Sequence, residues 1–197
     1  PSGYHTLRIN AGDAYGEATL ICAPASIPVP KAVADRQRWG WMAQMYSVRS
    51  AESWGVGDYG DLRHLLKDAA EKTHADFMLI NPIHACAPIP PLEPSPYLPE
   101  SRRFLNVTYI RPQDIAEYAD LSESDKAEVA RLHAQVSAAN DDVNPMDINS
   151  AWCHKRQALK IIFRQPRSVE RQSAFERFKE QAGPDLKAFA AWSVAFE

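Results

Sequence analysis

Cysteine is scarce in this chain, and its arrangement excludes more than its number does. Cys22, Cys86 and Cys153 lie far apart and form no CxxC pair. That leaves no disulfide framework and no zinc-ligand spacing, so a metal site is not expected, and a reducing, cytoplasmic setting is favoured. No apolar run approaches the roughly 20 residues needed to span a bilayer. The N-terminus shows no basic segment leading into an apolar stretch, so no secretion signal is visible, and an initiator Met is missing as well. An excess of positive charge is also lacking: 22 Lys and Arg stand against 25 Asp and Glu, a net charge of −3. Neither nucleic acid nor a membrane is therefore expected as a partner. Asn106-Val107-Thr108 matches a glycosylation sequon, but without a secretion signal it reads as coincidence.

What is present fits an ordinary globular chain. Hydrophobic residues make up 45% and charged residues 24%, and 197 residues suffice for one domain or a domain and a piece. Residues 1–24 read as a β-hairpin. Tyr4, Leu7 and Ile9 precede an Ala11-Gly12-Asp13 turn, and an apolar run resumes at Ala18. A lone hairpin is too small to be stable, so this stretch is expected to be the end of an N-terminal β domain. Residues 25–38 are expected to be a linker, since Pro24, Pro28 and Pro30 crowd its start.

The pattern changes at Trp39. Trp41 to Val48 is nearly continuous in apolar residues and predicts a strand buried on both faces of a parallel sheet. A glycine-bearing loop, Trp54 to Gly60, leads into a helix with Leu62, Leu65, Leu66 and Ala69 on one stripe. Phe77 to Ile80 predicts a second short buried strand, which completes a βαβ unit. Residues 82–112 form a long proline-rich stretch, the kind of loop that carries function. Four helical stripes follow: Val129, Leu132 and Val136; Trp152, Leu159, Ile162 and Phe163, ended by Pro166; Ala174, Phe175, Phe178 and Ala182, closed by Gly183-Pro184; and Leu186, Phe189, Ala190 and Ser193. Two strands cannot close a sheet, so further strands are expected beyond residue 197. The second strand is then expected to have unpaired edges and exposed apolar faces.

In parallel α/β folds, ligands sit outside the carboxyl ends of the strands. The loops 49–60 and 81–112 both leave those ends and therefore share one face. Trp54, Tyr59, Tyr97, Phe104 and Tyr109 offer ring faces there, and Gln44, Asn81, His84, Ser95, Arg102, Arg103 and Asn106 offer hydrogen-bonding groups. Pyranose rings need that mixture of apolar faces and paired donors and acceptors. The same residues also suit a loop packing on a rim. Asp58 and Asp61 flank a helix start and read as caps. Arg102 and Arg103 could grip sugar hydroxyls or an acidic partner within the loop, the structural role being favoured. His84 is either a ligand contact or an oriented structural group at a strand end, and Trp54 is either a stacking platform or a lid over the first helix. Gln44 and Asn81 lie at buried strand ends, where polar groups must find partners.

At this point a resemblance enters. Trp39 to Ser50 followed by Trp54 to Leu62, Asn81-Pro82-Ile83-His84-Ala85, and the run from Ser95-Pro96-Tyr97 through Ser101-Arg102-Arg103 to Asn106 and Tyr109-Ile110 resemble, in order and spacing, motifs of the bacterial 4-α-glucanotransferases (amylomaltases, or disproportionating enzymes). Ser2-Gly3-Tyr4-His5 resembles a strand near the end of that family's N-terminal β domain.

The resemblance implies a (β/α)₈ TIM barrel with a helical insertion, beginning at residue 39 and running past 197. It implies transfer of α-1,4-glucan segments between malto-oligosaccharides through a covalent glycosyl-enzyme. The family uses an Asp nucleophile, a Glu acid/base and a second Asp, all on later strands. No match to their motifs occurs before residue 197. No catalytic residue is therefore assigned, and this segment by itself is expected to be inactive. The family's Ser-Pro-Tyr element lines the donor subsite, so Tyr97 and Ser95 carry over as substrate-binding candidates, with His84, Asn81 and Trp54 beside them. Leu98 and Glu100 depart from the small hydroxyl residues of many relatives. The competing reading is a non-catalytic α-glucan-binding or interaction module.

Overall fold

The computed structural model describes residues 1–197, apart from the side chain of Ala32. The chain divides into two compact units, Pro1–Arg38 and Trp39–Glu197. In the first, β1 (Gly3–Ala11) pairs antiparallel with β2 (Ala14–Cys22), with Tyr4 opposite Ile21 and Leu7 opposite Ala18. The strands are joined by Gly12-Asp13, and Gly12 takes the positive φ of 60° that a two-residue hairpin loop requires. Tyr4, Ile9, Tyr15 and Ile21 are exposed on this ribbon. A single turn, α1 (Lys31–Ala34), follows Pro30.

The second unit opens with a βαβ element. β3 (Gly40–Ala43) runs parallel to β4 (Phe77–Ile80), and α2 (Tyr59–Thr73) connects them. The first strand is shorter than the expected 41–48. Asn81 Oδ1 takes the Met45 N–H at 2.7 Å, and the chain then curls into a 3₁₀ turn at Met45–Ser47. Burial of β3 on both faces is corrected, since Met42 is 77% exposed, whereas the exposed Phe77 and Leu79 are the open apolar face expected of the second strand. The sheet has two strands, so no second layer covers that face, and the described residues form no closed barrel.

The proline-rich stretch is more ordered than a loop. β5 (His84–Ala85) pairs antiparallel with β6 (Ser101–Leu105), and residues 86–100 make an excursion between them. Three 3₁₀ turns follow, at Val107–Tyr109, Pro112–Asp114 and Ala116–Tyr118. Three helices complete the unit. α3 (Glu123–Ser137) is capped by Ser122, α4 (Ile148–Phe163) by Asp147, and α5 (Val169–Phe196) by Ser168. α5 breaks at Gly183, whose φ of 65° and ψ of −153° are not helical, just before Pro184. The third and fourth stripes are therefore two helices, as the sequence indicates.

The core lies between α3 and α4, where Val129, Leu132 and Val136 meet Ala158 and Ile162. Trp54, from the loop after β3, is 0% exposed and joins them. Not every stripe is buried. Phe163 is exposed beneath the Arg167 guanidinium, which lies 4.6 Å from its ring centre. α5 buries none of its residues, although Phe189 stacks on Phe104 at 4.4 Å.

Gly57 sets the turn after β3. Its N–H donates to Tyr46 O at 2.7 Å, and a Cβ there would collide with the carbonyl oxygens of Met45 and Val48. Gly57→Ala should therefore lower stability by about 1–3 kcal/mol, the usual cost of overpacking. Urea denaturation should show a lower midpoint with an unchanged slope; an unmoved midpoint would show that the turn yields freely.

Candidate functional site

Two layers of structure meet at the carboxyl ends of β3 and β4. The lower one is a buried charge cluster. Asp58 caps α2, accepting from the N–H groups of Gly60 at 2.9 Å and Asp61 at 3.2 Å, while Asp61 returns a bond to the Asp58 N–H at 3.1 Å. This capping box satisfies amides that have no partner inside the helix. Arg111 then lies across both carboxylates. Its Nε donates to Asp58 at 3.1 Å and its Nη1 to Glu52 at 2.8 Å. Nη2 sits 2.8 Å from Asp58 and 2.7 Å from Asp61, close enough for an ion pair but off the hydrogen-bonding direction. The guanidinium fits only because residue 60 is glycine, since any Cβ there would occupy its place.

The two carboxylates respond in opposite directions. Burial raises Asp58 and outweighs the bond from Arg111. Burial also acts on Asp61, but hydrogen bonds from Ser50 and Ser53, both at 2.6 Å, together with Arg111, outweigh it and hold that carboxyl below its ordinary range. Arg111 itself is raised, because its bonds to the two carboxylates outweigh its burial.

The upper layer carries the candidates from the sequence. Asn81, 2% exposed, follows β4 and links three segments. Besides holding Met45, its Nδ2 donates to Pro82 O at 2.8 Å and to the Tyr109 hydroxyl at 3.4 Å. His84 and Ser95 are half-buried and line one cavity of about 190 Å³, together with Tyr46, Tyr109 and Lys155. Tyr97 stands on the same loop, 59% exposed, with its N–H donating to Ser95 Oγ at 3.4 Å. The Leu98 N–H reaches Ser95 O at 3.1 Å, which closes a turn with Pro96 inside it. The ring is thus exposed at the rim and does not line the cavity.

Trp54 is not brought to this place. Its ring is enclosed by the α3–α4 core, tilted against His133 at 5.1 Å, and its Nε1 donates to Gln113 at 3.0 Å. The stacking-platform expectation is corrected to core packing, because no ring face is left for a ligand. Arg103 finds its acidic partner in Asp185 of α5, at 2.6 Å. Asn106 of the sequon spends its Oδ1 on the Thr108 N–H and hydroxyl, at 2.9 and 2.7 Å. Among the described residues, no group of three or more His, Cys, Asp or Glu is placed to hold a metal ion, and no helix is long and apolar enough to cross a membrane.

Two residues here were missed from the sequence. Arg111 gave no local signal, since its hydrogen-bond partners Asp58 and Glu52 lie 53 and 59 positions away in the chain. Lys155 did give one: it interrupts the buried stripe of α4 between Ala151 and Ala158. It is 0% exposed, and its Nζ donates to Thr108 O at 2.7 Å. Burial lowers its pKa to about 8, against the opposing pull of Asp58 and Asp61.

With this geometry in place, similarity to known proteins can be read. The 4-alpha-glucanotransferase family model matches residues 43–196. The chain belongs to the 4-alpha-glucanotransferase family. It is 40% identical over 203 residues to the 4-alpha-glucanotransferase of Mycobacterium tuberculosis (strain H37Rv), a match covering 100% of this chain and 28% of that protein. Against the Haemophilus influenzae 4-alpha-glucanotransferase the identity is 31% over 193 residues, covering 94% and 27%. The crystal structure of amylomaltase from Corynebacterium glutamicum superposes with a TM-score of 0.86 at 40% identity, covering 98% of this chain and 27% of that one. The chain thus spans little more than a quarter of these relatives and shares the mixed α/β structure of an amylomaltase over that span.

The charge cluster makes two predictions. Arg111→Met leaves Asp58 and Asp61 buried without their cation and should cost about 3–5 kcal/mol, read as a loss of unfolding free energy in urea. A change below about 1 kcal/mol would mean that the pair is hydrated. Asp61, with its lowered carboxyl, contributes stability that is complete above the ordinary carboxylate range and is lost as pH falls through its lowered value. Asp58, raised, contributes with the opposite sign. Ser53→Ala removes a donor from Asp61 and should move the acid-unfolding midpoint to higher pH, followed by tryptophan fluorescence; an unmoved midpoint would rule out that donor as the cause.

Proposed function

We propose that the protein carrying this chain transfers segments of α-1,4-glucan between malto-oligosaccharides, with retention through a covalent glycosyl-enzyme. In this reading residues 1–24 end an N-terminal β domain, 25–38 are a linker, and 39–197 begin a (β/α)₈ barrel with α3 to α5 as its helical insertion. The catalytic carboxylates lie on strands beyond residue 197, and the protein works in the cytoplasm without a cofactor. The retaining chemistry needs only carboxylates.

The observation that carries the reading is the Ser95-Pro96-Tyr97 turn at the carboxyl ends of a parallel strand pair. An exposed ring stands there beside a cavity bearing Ser95 and His84. Tyr97 offers a flat face to a pyranose, while Ser95 and His84 offer hydroxyl and imidazole groups to its hydroxyls. Asn81 acts from below, holding the strand ends and Tyr109, and Trp54 anchors the preceding loop from inside the core. Pro96 and Pro99 limit the backbone on both sides of Tyr97, which reduces the ordering cost of binding.

The test is Tyr97→Ala in a polypeptide of the family's full length carrying this segment. The wild type should disproportionate maltotriose. The variant should lose more than about tenfold in kcat/KM, equivalent to about 1.4 kcal/mol of transition-state stabilisation, with little change in Tm. A variant that is fully active but unstable would make Tyr97 a packing residue.

A further inference from the structure

Lys155 is unusual within this fold. It sits on the buried stripe of α4 between Ala151, Trp152, Ala158 and Ile162, where an aliphatic side chain would serve packing alone. Burying an ammonium costs several kcal/mol unless its surroundings compensate. Here they compensate in two ways.

The first is electrostatic. Asp58 and Asp61 both act on Lys155 in the direction that favours its charge, and Arg111 opposes them. Two buried carboxylates and two buried cations thus share this interior, one cation from the segment between β6 and α3 and one from α4, and burial still outweighs the attraction at Lys155. The exposed Glu52 adds to Arg111 from outside.

The second is a relay of hydrogen bonds. Lys155 Nζ holds Thr108 O, in the 3₁₀ turn Val107–Tyr109. The Thr108 amide and hydroxyl bind Asn106 Oδ1, which also accepts from the Cys86 thiol at 3.3 Å just after β5. The Asn106 N–H reaches Ile83 O at 2.9 Å. From the same turn, the Tyr109 hydroxyl accepts from Asn81, whose other end holds the Met45 N–H. One ammonium on α4 is thus connected to the chain that leaves β3, the chain that leaves β4, and β5. It also lines the cavity that contains His84 and Ser95.

We propose that Lys155 is a positioning residue for the glucan site, its ammonium setting the turn 107–109 and through it β5, which carries His84, and the start of the 86–100 excursion that carries Ser95. This rests on the reading of that cavity as the sugar site. Its effect is orientation rather than contact with the reacting atoms. Removing it should therefore act on turnover more than on ground-state binding, since small misplacements cost large factors in rate. Stability should fall as well, because the substitution leaves the buried Thr108 O without its donor, so turnover is read per folded molecule.

The experiment uses a polypeptide of the family's full length carrying this segment, with maltotriose as substrate. Lys155→Met should fold with a lowered Tm, lose at least about tenfold in kcat per folded molecule, and keep KM within about twofold. Lys155→Ala should be similarly impaired and should recover activity with butylammonium chloride, which restores the missing ammonium, but not with butanol, which fills the same space without charge. Lys155→Met with wild-type kcat would overturn the proposal. So would lost stability with an unchanged kcat per folded molecule, which would make Lys155 a strut, and so would rescue by butanol equal to that by butylammonium. A wild type that transfers no glucose would instead overturn the function on which the proposal rests, and the proposal with it.

Discussion

Arg111 pressed against Asp58 and Asp61 holds together segments that lie far apart in the chain. Those two carboxylates cap α2, so the guanidinium fixes where the βαβ crossover begins. Arg111 itself stands between the 3₁₀ turns that lead to the helical part of the unit. Glu52, Ser50 and Ser53 bring in the loop after β3. An isolated buried carboxylate would neutralise. Two of them sharing one planar cation, with hydroxyl donors on Asp61 and amide donors on Asp58, are compensated by fixed neighbours. The absent side chain at Gly60 is as necessary as the charges, because it leaves the space that the guanidinium fills.

On this base the strand ends are stiff while the surface above them is open. Asn81 has every polar atom engaged with a partner from another segment or its own chain. Tyr97, a short distance along the chain, has an exposed ring on a turn bounded by prolines. A binding surface built this way keeps the ring accessible and places little ordering cost on the ligand. The exposed faces of β3 and β4 have a different meaning. A two-stranded parallel sheet with Met42, Phe77 and Leu79 in solvent needs further strands or helices to bury it. That agrees with a chain spanning little more than a quarter of its relatives' length.

Local pattern made much of the fold legible before the structure. The hairpin 1–24, the crossover helix, the strand at Phe77, and all four helical stripes follow from residue periodicity and from the Gly and Pro residues that end them. Asp58 and Asp61 were legible as caps for the same reason: capping is settled within four residues of chain. The errors arose where neighbours distant in sequence took over. The strand from Trp41 stops at Ala43 because Asn81 takes the Met45 amide. The stretch 82–112 folds into a hairpin because Asn106 and Glu100 find carbonyls at Ile83 and Ala85. Trp54 is drawn into the core by α3 and α4, helices that follow it by more than 60 residues.

The sequence by itself determined the family and the alternation of strand and helix, because motif order and short-range periodicity are properties of the chain read in one direction. It also placed Ser95, Tyr97 and His84 in the stretch 82–112. Tertiary structure alone decided which of those side chains stay accessible and which are enclosed, since exposure depends on what packs from elsewhere. It alone joined Arg111 to the carboxylates of α2 and Lys155 to the Thr108 carbonyl. Charge compensation in a buried place depends on distances between atoms, and sequence separation says nothing about them.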